Sequence, residues 1–173
     1  MGCIGSRYGE EGTWNLEMRD CDDKEDLIPA LSMAEVSDPT WLEAEFPVFS
    51  YNAPAITRKG AVPVVYMNIN GKNTPVTTVF DILAASLALD RGHGGDVAKG
   101  YDDSAMYPTP AWQETITGVP AEDVIKVARE FAANAEATSG RSLIIMGAGI
   151  NHWYNNDTTY RAIISLTSLC GCQ

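Results

Sequence analysis

A chain of 173 residues is long enough to bury a sizeable core, and with 45% apolar and 20% charged residues it has globular composition rather than that of a disordered tail. Against 23 Asp and Glu it carries 12 Lys and Arg, a net charge of −11 that repels nucleic acid and anionic membrane surfaces, so both are excluded as principal partners. No run approaches the roughly 20 consecutive apolar residues that span a bilayer, so any membrane contact is expected to be indirect.

Residues 1–60 read as an irregular, insert-like segment. Gly, Asp and Glu are scattered through it, Asp20 to Asp26 forms an acidic cluster with the character of a solvated loop, and Pro29, Pro39, Pro47 and Pro54 interrupt every run. Residues 61–173 read as α/β. Val62 to Ile69 is a β-rich run, Asn70-Gly71 is the strongest short hairpin signal, and Val76 to Val79 is the expected return strand. A helix follows, with Thr78 and Asp81 as a capping box and Ile82, Leu83, Ser86 and Leu87 as its apolar face, ending at Asp90-Arg91-Gly92. His93 to Pro110 reads as a Gly- and Asp-rich loop in which His93 is solvated. A second helix is expected over Ala121 to Ala135, where Val124, Ala128, Phe131 and Ala135 recur at helical spacing and Glu122 and Asp123 suit the positive end of the dipole. Ser142 to Met146 has the pattern of a short strand buried on both faces, and Asp157 is a good N-cap for a helix over Thr158 to Leu169. Helix, strand, glycine turn and helix in that order make a unit of the kind that builds parallel sheets.

Four cysteines, Cys3, Cys21, Cys170 and Cys172, include no Cys-x-x-Cys pair. Iron–sulfur and structural zinc sites need three or four ligands at close spacing, so no metal centre is expected from this chain's residues alone. Cys170 and Cys172 follow an apolar helix-like run and read as buried thiols. Met1 to Ser6 matches the N-myristoylation pattern, but no polybasic patch follows it.

The stretch Met146 to Tyr154 is the most informative chemically. It sits where a buried strand empties into a loop, the position at which open α/β sheets bind ligands. Gly147 and Gly149 would let backbone N–H groups approach a phosphate or a flat ring, yet they form only the first half of a dinucleotide fingerprint, with His152 in the third glycine's place. Asn151, His152 and Trp153 bring amide, imidazole and indole together, a set suited to a polar heterocycle or a small anion. The alternative is that Trp153 and Tyr154 pack and His152 is a satisfied loop histidine; the residues alone leave both readings open.

Several long stretches resemble one family. They are Arg7 to Glu17, Val76 to Asp81, Gly100 to Asp103, Thr109 to Glu114 with Ile116 to Val119, Ala128 to Ala132, Gly140 to Tyr154, Tyr160 to Ile164 and Leu169 to Cys172. In this order they resemble the alpha subunit of respiratory, membrane-bound nitrate reductases, which are molybdopterin oxidoreductases. The resemblance implies a partial segment of a large multidomain catalytic subunit that holds a bis-molybdopterin guanine dinucleotide and one [4Fe-4S] cluster. It implies reduction of nitrate to nitrite in anaerobic respiration, with electrons from an iron–sulfur beta subunit and a membrane haem gamma subunit. Metal ligands would lie upstream, so the segment alone would be inactive, and the complex would sit on the cytoplasmic face of the bacterial inner membrane, or on the opposite face in an archaeal source. It also implies that Gly147, Gly149, Asn151, His152 and Trp153 lie near the cofactor or the substrate, and the loop position of His152 makes it the expected hydrogen-bond donor to nitrate. Met1 to Ser6 departs from the family's pattern, and the glycine-rich continuation expected after Cys172 is absent, so both ends read as limits of a partial sequence. The rival expectations are the same family acting on selenate or chlorate, and a small acidic binding protein lipidated at Gly2.

Overall fold

The computed structural model describes residues 31–48 and 56–172. The acidic cluster at 20–26, Cys3, Cys21, the Gly2 motif and the Arg7 to Glu17 stretch lie outside the described residues. Two compact units divide the chain, one containing Ile28–Ile125 and the other Lys126–Gln173.

In the first unit a three-stranded antiparallel sheet has the order β1 (Thr40–Val48), β2 (Ile56–Ile69), β3 (Lys72–Val76). The irregular reading is therefore corrected over residues 40–48 and 56–60. Across Thr40 to Val48, Leu42, Ala44, Phe46 and Val48 are partly covered while Glu43 and Glu45 are exposed, a period-2 alternation that the prolines obscured. Pro47 lies in an edge strand, where its missing N–H costs no ladder bond. At 14 residues, β2 is long enough for its first half to pair with β1, from Val48↔Ile56 to Thr40↔Val64, and its second half with β3, from Val65↔Val76 to Ile69↔Lys72.

The hairpin at Asn70-Gly71 is present, and its return strand runs over Lys72–Val76 rather than Val76 to Val79. Asn70 at φ 53° and Gly71 at φ 80° both occupy the left-handed region, as a two-residue hairpin turn that matches the twist of its strands requires. Gly60 answers a different need, since a Cβ there would stand 2.8 Å from the Phe46 ring.

Helix α1 (Val79–Ser86) starts where the sequence places it, with the Thr78 hydroxyl accepting from the Asp81 N–H at 3.1 Å. Its buried face is the opposite of the expected one. Asp81, Ala84 and Ala85 are buried and Ala88 continues the stripe, whereas Ile82 and Leu87 are exposed. Small side chains let the helix lie close to β2, and Ala85 joins Val62 and Val64 in the core, with Leu42, Ala44 and Phe46 packed against them. The helix ends in a Schellman wrap, in which Leu89 N–H donates to the Ala84 carbonyl and Ala88 N–H to that of Ala85, with Ala88 left-handed at φ 58°.

Residues 93–109 form the expected loop. Beyond it lies an unforeseen helix, α2 (Pro110–Thr117), with Thr109 as N-cap, Pro at its first position and left-handed Gly118 at its end. Glu114 of α2 accepts from the Ala121 N–H at 2.9 Å and so caps α3 (Ala121–Ala137), the helix the sequence places here.

In the second unit, residues 141–147 form no helix or strand and join no sheet among the described residues, so the expected buried strand at Ser142 to Met146 and its parallel pairing are corrected. The alternation persists, with Leu143 79% and Ile145 87% exposed while Ser142, Ile144 and Met146 are partly covered. Helices α4 (Ala148–Asn151) and α5 (Asn156–Leu169) follow; α5 begins after Asn155, two residues before the expected cap at Asp157. It ends in a second Schellman wrap around left-handed Gly171, with Cys172 N–H bonded to the Thr167 carbonyl at 2.8 Å. Cys172 is buried and Cys170 half-buried, both as free thiols, and burial beside Cys172 pushes the Cys170 thiol up from its ordinary range.

Candidate functional site

The seven residues from Gly147 to Trp153 form a short helical turn instead of an irregular loop. Gly147 is the N-cap of α4 in extended backbone and offers no side chain to the turn. A Cβ added at Gly147 or Gly149 would meet nothing within 4 Å. Neither packing among the described residues nor backbone conformation demands glycine there.

Asn151 closes α4 and is held from α5. Asn156 Nδ2 donates to the Asn151 carbonyl oxygen at 2.9 Å, and the Tyr160 hydroxyl donates to Asn151 Oδ1. His152 is the C-cap, with its N–H bonded to the Ile150 carbonyl and its side chain exposed. Trp153 is 74% exposed and Tyr154 98%, so the reading in which these aromatics pack is not realised among the described residues. The structure thus groups Gly147, Gly149, Asn151, His152 and Trp153 in one exposed turn, with amide, imidazole and indole groups open to a ligand. Among the described residues no group of three or more His, Cys, Asp and Glu is placed to hold a metal ion.

A second constellation escaped the sequence reading. Asp81 is fully buried, and its carboxylate accepts from the Ser32 hydroxyl at 2.6 Å, Met33 N–H at 2.8 Å, the Thr78 hydroxyl at 2.8 Å and Arg91 Nη1 at 2.7 Å. Burial alone would raise its pKa, but the combined bonds from Ser32, Arg91, Met33 and Thr78 hold it below the ordinary carboxylate value. Arg91 also donates to Ser32 and lies over the Trp41 ring, against which His93 stacks at 3.8 Å. His93 is exposed, as expected, yet it is not free of contacts. Nearby, buried Arg58 donates to the carbonyls of Ala85 at 2.7 Å and Asp96 at 3.1 Å, placing a cation at the negative end of α1. Desolvation lowers the Arg58 pKa. A carboxylate saturated by donors and shut off from solvent is not available for acid–base chemistry, so this cluster ties the 31–36 segment, α1 and the 91–96 loop together. The capping box pointed to Asp81; its long-range partners Ser32 and Met33, 49 and 48 residues away, left no sequence signal.

No protein-family model matches the chain. Along its full length it is 45% identical to the nitrate reductase alpha chain of Bacillus subtilis, and over 99% of its length it is 42% identical to the respiratory nitrate reductase 1 alpha chain of Escherichia coli. It is 40% identical over 99% of its length to the nitrate reductase alpha subunit of Mycobacterium tuberculosis. A mixed α/β segment with an exposed Gly-Asn-His-Trp turn and this degree of identity belongs among the alpha chains of reductases. Within that class, the chain belongs to the nitrate reductase alpha-chain family. It spans 14% of the length of each of these three curated relatives.

Proposed function

We propose that this chain is a segment of the catalytic subunit of a respiratory nitrate reductase and that its 147–153 turn lies against a molybdenum–pterin cofactor. The observation that carries the reading is 45% identity, without a break in coverage, to a nitrate reductase alpha chain. In the full subunit the cofactor, a bis-molybdopterin guanine dinucleotide, supplies the oxygen-atom and two-electron chemistry that converts nitrate to nitrite. The residues of the turn are chemically fit to hold such a group. Gly147 and Gly149 leave space for its close approach, Asn151 offers an exposed amide, and Trp153 offers an exposed indole face for a flat heterocycle.

His152 donates a hydrogen bond to bound nitrate and so orients the anion. A [4Fe-4S] cluster and the iron–sulfur beta and haem gamma subunits complete the electron path, with cluster ligands supplied from elsewhere in the alpha chain. No helix among the described residues is long and apolar enough to cross a membrane; attachment to the cytoplasmic face runs through the partner subunits.

The test uses the complete enzyme with its partner subunits and reduced viologen as electron donor. Nitrate reduction is expected, and His152→Ala should lower turnover by about 10- to 100-fold with molybdenum content unchanged, the size of one lost hydrogen bond to a charged group. Full activity of the variant with molybdenum retained would remove His152 from the mechanism. Preference for selenate or chlorate over nitrate would overturn the substrate assignment.

A further inference from the structure

We propose that Cys170 and Cys172 are a thiol–disulfide exchange site, at which a small-molecule disulfide oxidises the pair to an intrachain disulfide across Gly171. Both cysteines are free thiols at the C-terminal end of α5. The residue between them sets their spacing. Gly171 is left-handed at φ 65°, the mirror image of an ordinary helical residue. A helical residue holds the Cα atoms of its two neighbours about 5.4 Å apart, inside the roughly 4.4–6.8 Å over which disulfides close.

The wrap that ends α5 also fixes the backbone on both sides. Cys170 N–H donates to the Leu166 carbonyl at 3.1 Å and Cys172 N–H to that of Thr167 at 2.8 Å. Cys172 Sγ lies 3.6 Å from the Cys170 carbonyl oxygen, so its side chain is folded back over its partner. The two sulfurs sense each other: after burial, the charge of Cys172 is the next cause that raises the Cys170 thiol pKa. With the backbone in place, closure is left to rotation of the two side chains.

Exposure divides the roles. Cys170 is half-buried and open to a reagent, whereas Cys172 is 3% exposed. Cys170, as the thiolate, attacks one sulfur of the incoming disulfide, whose S–S bond breaks and releases one thiolate. That thiolate takes up the proton Cys170 has lost. Cys172 then gives its proton to solvent and attacks Cys170 Sγ, expelling the second thiolate. Two protein thiols are oxidised and one external disulfide is reduced to two thiols. A ring closed across a single residue is strained, and strained disulfides are the readily reduced ones, so the modification is reversible.

The experiment incubates the intact enzyme with oxidised glutathione, blocks free thiols with iodoacetamide and weighs the peptide bearing both cysteines. An unalkylated peptide two hydrogens lighter than the dithiol is expected, and dithiothreitol should restore the dithiol. The rate should rise about tenfold from pH 7 to pH 8, because below a raised thiol pKa the thiolate population grows by that factor. Cys172→Ser should stop at a mixed disulfide with glutathione on Cys170. Cys170→Ser should take up glutathione at least about tenfold more slowly, since the remaining thiol is shielded. A wild-type peptide that stays fully alkylatable, or that keeps its glutathione without closing, overturns the inference without needing any variant. Equal uptake by the two serine variants overturns it as well, because Cys170 would then hold no advantage as the attacking thiol.

Discussion

The region from Ser32 to Asp96 and the region from Arg141 to Cys172 meet their polar and apolar needs in opposite ways. In the first, a buried carboxylate takes four donors, a buried guanidinium caps a helix end, and Val62, Val64 and Ala85 close a core. In the second, Leu143, Ile145, Trp153 and Tyr154 stand almost fully in solvent on irregular or single-turn backbone. The first is held by contacts made within itself. The second leaves these side chains uncovered by any of the described residues.

The contrast breaks most sharply at Asp81. Asp81→Ala would strand Arg91, the Ser32 and Thr78 hydroxyls and the Met33 N–H, and should cost about 3–5 kcal/mol, read as a fall in the urea midpoint. A smaller effect follows acid. Because the folded-state pKa of Asp81 lies below its ordinary 3.8, the unfolded chain binds the proton first as pH drops. Its contribution is complete above that ordinary value and lost as pH falls through the lower folded one. Asp81→Asn should flatten this acid limb in unfolding curves taken down to about pH 2.

Next in size is Thr109→Ala. The Thr109 hydroxyl accepts from Trp112 N–H at 3.1 Å and donates to the Asp103 carbonyl at 2.6 Å, so its loss should destabilise α2 by about 1 kcal/mol in the same assay. Least of all, the pair Leu143→Asp and Ile145→Asp should shift the midpoint of this chain by no more than about 0.5 kcal/mol, since both side chains are already solvated. A large loss there would show that the second region is closed on itself and would end the contrast.

Local chemistry made part of the fold legible from sequence. Asn70-Gly71 needs two left-handed residues in a row, Thr78 caps a helix within three residues, and α3 carries its own periodicity, so each could be read in place. Elements that depend on distant partners could not. Pro39 just before β1 and Pro47 within it masked an alternation that only pairing with β2 completes. In α1 the larger residues Ile82 and Leu87 drew the apolar face to the wrong side, because close approach to β2 favours the small ones. Thr109-Pro110 with Gly118 is a start and stop signal for α2, obscured by the Gly- and Asp-rich loop that precedes it. Residue types and resemblance single out the 147–153 stretch in the sequence, while its folding as a helical turn shows only in the backbone.

The left-handed Ala88 carries a consequence for sequence tolerance. At 1% exposure and φ 58°, it occupies a conformation that favours glycine and a space that a methyl group fills. Glycine would relax the backbone but leave a gap, whereas any larger side chain would add crowding to the strained dihedral. Saturation mutagenesis scored by folded yield should therefore find a position that accepts Ala, tolerates Gly, and rejects nearly everything else, although its identity in the sequence is one of the least conspicuous.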